Sequence, residues 1–271
     1  MKDEMKNKVK VYWNNRPCNI RHSDKKIGSL EYFDEVEEKR YTVEPHIPGF
    51  ARFSESRGKE VLEIGCGIGT DTLQFAKAGA KVTAVDISEV SVDICKKRFQ
   101  TYGFDAEIIC ADAEYLTELL PGRKFDIIYS FGVIHHTTNP SKIIESLRFF
   151  CHNKTVIRMM FYSKYSFKGL DFFLRHGWRF GFDYKNTIRH FAEAQLGCPI
   201  AEVYSRSELL AMFDKYEVVR LDKDHIFPYK VEDYIKGKLE KRLIFRVMPT
   251  FVYTWLCSVL GWHYLIELKI K

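Results

Sequence analysis

The sequence predicts an α/β fold, a mostly parallel sheet with helices on both faces. Three observations predict it. Between Glu60 and Tyr162, short apolar runs alternate with segments of helical period. The first run leads into three glycines, Gly65, Gly67 and Gly69. The second and third runs end on aspartates, Asp86 and Asp112. Strands that alternate with helices are joined by right-handed crossovers. Such strands are covered on both faces and are apolar along their length.

The elements follow in order. Residues 1–57 read as a helical cap or lid. Met5 to Trp13 has the character of a short helix, and "NNRPCN" is a turn. "SLEYFDEVEEKRY" reads as a helix with apolar positions at Leu30, Phe33, Val36 and Val43. "EPHIPGF" ends it, because proline disfavours helix at its own position and at the one before. A further short helix is expected from Ile47 to Ser56.

Residues 58–271 read as one domain. "EVLEIG" is a buried strand, Thr70 to Ala78 a helix, "KVTAVD" a strand and Glu89 to Tyr102 a helix. "AEIICAD" is a third strand, followed by a helix over Ala113 to Leu120. "FDIIYSFG" is a fourth strand, Pro140 to Phe150 a helix and "KTVIRMMFY" a fifth strand. An insertion at 163–203, rich in Phe, Trp, Arg and His, then breaks the rhythm. "SRSELLAMFDKY" is a helix that Ser205 or Ser207 can cap. "EVVRLDKDH" is a sixth strand, a helical excursion broken at Pro249 spans 230–260, and "HYLIELKIK" is the last strand. Thr250 to Ile266 is an apolar run at the short limit for a membrane span. A buried helix running into the final strand is expected there, with interfacial docking as the alternative and no stable membrane insertion.

Composition narrows the function. With 46% hydrophobic and 29% charged residues, the chain is globular rather than disordered. The net charge of +6 is modest, and Lys and Arg are interleaved with Glu and Asp, as in Lys236 to Arg246. A nucleic-acid binder more often carries a dense basic stripe, so no nucleic-acid partner is expected. Seven widely spaced cysteines without a Cys-x-x-Cys pair, and no signal peptide before them, read as reduced thiols in a cytoplasmic protein. The cysteines and histidines form no metal-ligand spacing, so no metal is expected.

The glycines identify the ligand class by exclusion. A dinucleotide loop has Gly-x-Gly-x-x-Gly, whereas here the third glycine comes one residue early. A phosphate-binding loop ends in Gly-Lys-Ser/Thr, and "GTD" has no lysine. Glu63 lies two residues before Gly65, where a carboxylate repels a pyrophosphate but serves an ammonium group. Asp86 ends the second strand, where an acid can accept from both ribose hydroxyls. Asp112 is placed for an adenine amino group. An adenosine with a cationic amino-acid tail and no phosphate fits all three, and that ligand is S-adenosylmethionine.

"EVLEIGCGIGTD", "VTAVDIS", "ADAEYL" and "FDIIYSFGVIHHT" resemble, in order and spacing, the motifs of class I S-adenosylmethionine-dependent methyltransferases. The resemblance runs from Glu60 to Tyr162, and the leader "YWNNRPCN…EYFDEVEEKRYTVEPHIPGF" resembles that of one bacterial, small-molecule branch. It implies a Rossmann-like three-layer sandwich on a seven-stranded sheet whose last strand is antiparallel. It also implies a donor site of Glu63, Gly65, Gly67, Gly69, Thr70, Asp86, Ile87, Asp112, Ala113, Ser130 and Phe131. Ser130 and Phe131 match the loop beside the donor methyl.

The expected activity is methyl transfer to an O, N or S atom of a small molecule. A nicotinamide-dependent oxidoreductase and a non-catalytic S-adenosylmethionine-binding protein are the alternatives. The chain has "SFGV" where enzymes acting on base amines carry an Asn/Asp-Pro-Pro-Tyr/Phe site. His135 and His136 follow the fourth strand, on the edge where open α/β sheets bind ligands, and either can serve as a general base or orient the loop. Tyr12, Arg16, Arg40, Tyr41 and His46 in the leader are candidates for holding the acceptor. Tyr162, at the end of the fifth strand, is another. His225 reads as structural, and the insertion is expected to cover the acceptor side.

Overall fold

Seven strands form a single sheet in the computed structural model, which describes residues 2–188, 198–235 and 238–271. They are β1 (Glu60–Ile64), β2 (Lys81–Asp86), β3 (Glu107–Cys110), β4 (Phe125–Phe131), β5 (Cys151–Tyr162), β6 (Tyr216–Asp224) and β7 (His263–Ile270). The order across the sheet is β3-β2-β1-β4-β5-β7-β6. β1 to β5 are parallel, and β7 runs antiparallel to both its neighbours, β5 and β6. The sheet is therefore the mostly parallel, seven-stranded one expected, with its last strand reversed.

Successive residues of each strand point to opposite faces and build two cores. Leu62, Ile64 and Ile128 pack on one face with Phe150, Phe161 and Phe213. Val61, Ile127 and Tyr129 pack on the other with Phe75, Phe99 and Met160. Burial on both sides explains why these strands read as unbroken apolar runs.

The described helices with fixed bounds are α1 (Lys2–Asn15), α2 (Leu30–Val43), α3 (Ile47–Ala51), α4 (Thr70–Lys77), α5 (Glu89–Tyr102), α6 (Leu116–Leu119), α7 (Pro140–Ser146), α8 (Phe167–His176), α9 (Arg206–Met212), α10 (Val231–Ile235), α11 (Leu243–Val247) and α12 (Thr250–Leu260). Their starts are written in side chains. Ser29, Ser88 and Asn139 each accept from a backbone N–H of the first turn. Ser205, rather than Ser207, caps α9, in a capping box with Glu208.

The cap is fastened by two buried arginines. Arg158 on β5 donates to Glu267 (3.0 Å), to the Ala51 carbonyl (2.9 Å) and to Glu55 (2.8 Å). Arg98 on α5 donates to the Ile68 carbonyl (2.9 Å) and lies over the Phe33 ring of α2.

Two expectations are corrected. The excursion at 230–260 is not one helix broken at Pro249, since α10, α11 and α12 are separate short helices. Pro249 directly precedes α12, where its missing N–H costs nothing. Nor is α12 a buried helix. Phe251 is 76%, Trp255 61% and Val259 46% exposed, because a four-residue spacing lines them up on the face away from the sheet. Cys257 alone of this helix is buried, and Tyr253 donates to the Ile226 carbonyl (2.6 Å). Among the described residues no helix is long and apolar enough to cross a membrane. Of the insertion, α8 and a short turn over Gly177–Phe180 are described, while 189–197 lie outside the described residues.

Candidate functional site

The parallel register brings the C-terminal ends of β1, β2 and β4 together, with Ile64 beside Val85 and Glu63 beside Tyr129. The loops that follow enclose a cleft of ≈ 1100 Å³ of empty space that includes some open solvent. This edge is where open α/β sheets bind ligands.

The three glycines do different work. Gly65 has φ +81°, and a Cβ there would lie 2.2 Å from Cγ2 of Val133 in the loop after β4. Gly69 has φ +79°, and its Cβ would lie 2.4 Å from Sγ of Cys95 on α5. Both permit close packing as well as a left-handed turn. Gly67 meets nothing within 4 Å, so its backbone lies along open space. Gly69 does not line the cleft, so its role as a ligand contact is corrected to one of packing and helix entry.

Carboxylates stand around the cleft. Glu63 is buried on β1 and lines it, and its Oε2 has no hydrogen-bond partner. Burial, with the neighbouring charge of Asp71, pushes its carboxyl up to about 8. Asp86 accepts from the Gly67 N–H (2.8 Å) and from the Ser88 N–H (2.8 Å). Burial nevertheless holds its carboxyl above the usual range. Each of its oxygens keeps a second lone pair for a ligand. Asp112 caps the turn that follows, accepting from the Glu114 N–H (2.9 Å). Its other oxygen takes Lys6 of α1 (2.9 Å), which also reaches Glu114 (2.7 Å). Ile87, Ala113, Thr70 and Phe131 line the same cleft.

Asp71, at the start of α4, gathers the cap onto the site. Arg40 meets it with two parallel hydrogen bonds (3.0 and 2.8 Å), and the hydroxyls of Tyr41 and Tyr129 donate to it at 3.0 Å each. Burial alone would raise the Asp71 carboxyl, but the Arg40 guanidinium and these donors hold it below its usual value. Arg40 borders the cleft already paired, and Tyr41 is outside it, so neither is a free handle for an acceptor.

The two histidines separate. His136 lines the cleft, edge-on to Trp13 (centroids 5.4 Å), with Nδ1 2.6 Å from the Ile200 carbonyl. A carbonyl only accepts, so Nδ1 carries the proton and Nε2 is the ring's acceptor. Burial pulls its pKa down to about 4. His135 is fully buried between Phe161 and Tyr162, and neither ring nitrogen has a partner. It does not line the cleft, so its assignment as a base is corrected to a core position.

Other expected contacts are also elsewhere. Ser130 donates to the Ile64 carbonyl (2.9 Å) and holds β4 to β1. Tyr162 stacks on Trp262 (4.7 Å), and His46 meets His263 (3.0 Å). Tyr12 and Arg16 do not border the cleft either; Tyr12 packs edge-on to Trp13, and the Arg16 N–H bonds the Tyr12 carbonyl. In their place stand Lys6, Trp13, Asp71 and Glu114, which sequence reasoning missed. Asp71 sat inside the glycine motif as an acid in a helix's first turn, a usable signal. Trp13 adjoined a chosen residue, whereas nothing distinguishes Lys6 from other helical lysines. The end of the insertion rests on the histidine loop, through Ile200 and through the Glu202 N–H on the His135 carbonyl (2.9 Å).

Residues 61–151 match the family model described as a methyltransferase domain. Over 90 residues the chain is 36% identical to a ubiquinone biosynthesis O-methyltransferase of Coxiella burnetii, which is 33% of this chain and 38% of that one. A mitochondrial protein of the same name from Arabidopsis thaliana is 36% identical over 92 residues, 33% of this chain and 28% of its own. The match thus spans well under half of these relatives. Among solved structures, magnesium protoporphyrin IX methyltransferase of Synechocystis, with bound S-adenosylhomocysteine, superposes with a TM-score of 0.60 at 17% identity, covering 98% of this chain and 100% of that one. The [4+2]-cyclase SpnF superposes with a TM-score of 0.59 at 15% identity, covering 99% and 94%. Residues 61–151 of the chain therefore match a methyltransferase domain, and the strand order around them agrees with the fold of the superposed structures.

Proposed function

We propose that the chain transfers the methyl group of S-adenosylmethionine to an O, N or S atom of a small apolar or aromatic acceptor. The observation that carries this reading is Glu63 Oε2, a buried acceptor without a partner at the wall of the cleft. An ammonium brought there favours the ionised carboxylate and pairs with it. Asp86 would take the ribose hydroxyls and Asp112 the adenine edge, with Ile87 and Ala113 beside it. When bound, the donor supplies a sulfonium methyl already activated for in-line displacement.

The protein's own share is alignment and proton handling. Trp13, Phe131, Val9 and His136 also line the cleft, and their surfaces suit a flat or apolar acceptor. In this reading His136 stays neutral at physiological pH and receives the acceptor's proton on Nε2. The relatives named as O-methyltransferases make oxygen the first atom to test. Their match covers the donor-binding third, so the acceptor is read from this chain's own residues. A small molecule rather than a nucleic acid is favoured by a surface on which basic groups pair with acids, as Lys10 with Glu89 and Lys230 with Glu240. Seven free cysteines support a cytoplasmic setting.

The test is turnover with methyl-labelled donor against phenols, amines, carboxylic acids and thiols, scored by S-adenosylhomocysteine formed. His136→Ala is expected to lower kcat by about 10²-fold or more, with donor-product affinity kept within a few-fold. Unchanged kcat would remove His136 from the chemistry. A second reading, donor binding without methyl transfer, is raised by the cyclase among the structural neighbours. It predicts binding with no labelled product from any acceptor.

A further inference from the structure

We propose that Glu44, His225 and His263 form a binding site for one zinc-like divalent transition-metal ion, at the junction between the cap and the sheet. Glu44 caps the C-terminus of α2, His225 follows β6 and His263 opens β7. One ligand atom from each lies within 4.8 Å of the others. The site stands apart from the donor cleft, behind the Phe131 ring, which lies 5.6 Å from His263 and 5.8 Å from His46.

The arrangement has the parts of a built centre. Nε2 of His263 faces Oε1 of Glu44 at 3.8 Å. The opposite nitrogen, Nδ1, is 3.0 Å from Nε2 of His46. A ligating histidine usually has its second nitrogen held in this way, which fixes ring orientation. The His225 ring stacks on His263 with centroids 4.7 Å apart. Its backbone is left-handed, φ +70°, and is pinned by the Trp262 N–H on its carbonyl (2.8 Å) and by its own N–H on Asp224 (2.6 Å). All three donors therefore project from fixed backbone.

Two imidazoles and a carboxylate suit zinc and its neighbours rather than calcium or magnesium. Bonds of about 2.0–2.2 Å place tetrahedral donors roughly 3.4 Å apart, so an ion closes the triad by about an ångström of side-chain rotation. Two cations face the site. Arg40 is taken by Asp71 and by the other oxygen of Glu44 (3.5 Å), which leaves Oε1 for the ion. Lys168 lies over the Trp262 ring (5.0 Å). The ligands are distant in sequence, so the centre is invisible to motif spacing, and an ion would clip the cap to the sheet edge.

The test uses the full chain stripped with chelator and titrated with zinc chloride by calorimetry, and with cobalt(II) by visible absorption. One zinc per chain and a raised Tm are expected, as is a four-coordinate cobalt spectrum without the near-ultraviolet thiolate band. Glu44→Gln and His263→Ala should abolish stoichiometric binding, and His46→Ala should weaken it by about 10- to 100-fold. His152→Ala, whose ring bonds Asp126 instead, should leave it intact. Absence of stoichiometric binding, a thiolate band, or unchanged affinity in Glu44→Gln would each overturn the proposal. The Glu44→Gln result decides even if His263→Ala fails to fold. The test is independent of methyl transfer.

Discussion

Glu63 is the side chain whose chemistry is least satisfied by the protein itself. Its pKa is pushed up to about 8, so the free protein holds it protonated at pH 7. A ligand ammonium favours the carboxylate, so binding of S-adenosylhomocysteine should expel a proton. Calorimetry in buffers of different ionisation enthalpy should show release of most of one proton at pH 7 and little above about pH 9. Glu63→Gln should abolish the release and weaken binding by about tenfold or more, the worth of one charged hydrogen bond. Asp71 makes a different prediction. It is buried under Arg40 and two tyrosine hydroxyls, so Asp71→Ala removes both close hydrogen bonds of the guanidinium and leaves it the longer contact with Glu44 (3.5 Å). Unfolding measurements should show a loss of about 3–5 kcal/mol. Sequence singled out Glu63, Asp86 and Asp112 because each lies at or just beyond the end of a strand, and the three line one cleft. Lys6 carried no such signal, because its role exists only where α1 meets the turn after β3.

Elements with local signatures matched their reading closely. α5 spans Glu89–Tyr102 as expected, since Ser88 caps it and Gly103 ends it. The strands matched because burial on both faces leaves a continuous apolar run. The late helices did not, because periodicity shows that a helix has an apolar stripe and not whether anything covers it. Phe251, Trp255 and Val259 form such a stripe and face outward. Within the glycine loop, the structure separates positions that sequence treats alike. Gly69→Ala is strained and also meets Cys95, whereas Gly67→Ala is strained but faces open space. Gly69→Ala should therefore lower Tm more, and Gly67→Ala should lower donor affinity more than stability. Equal effects on both quantities would contradict this division of roles.

For the whole molecule, the sheet order was readable and the long-range assembly of the cap was not. Arg158 with Ala51 and Glu55, Arg40 with Asp71, and His46 with His263 all join residues far apart in the chain. Sequence alone placed Arg40 and His46 against an acceptor, when their partners are protein. Among the described residues, assembly buries His135, His136, His225 and His263 and half-buries His22 and His46, and this burial lowers the pKa of each. Unfolding frees them to take protons at about 6.5. The unfolded state then binds more protons, so stability should fall as pH drops from about 6.5 to 4, by up to about 1.4 kcal/mol per pH unit for each histidine. The raised carboxyls of Glu44, Glu63 and Asp86 act in the opposite sense, and the histidines outnumber them. Thermal melts across this range should show Tm falling with pH, and a flat profile would contradict the burial pattern.

The central claim is that the glycine cleft is built for an adenosine ligand with a cationic amino-acid tail. Calorimetric titration of the intact chain with S-adenosylhomocysteine tests it most directly. The account predicts one saturable site per chain, weakened about tenfold or more in both Glu63→Gln and Asp86→Ala when these variants remain folded. No binding by the wild-type chain, or full affinity in both folded variants, would contradict it.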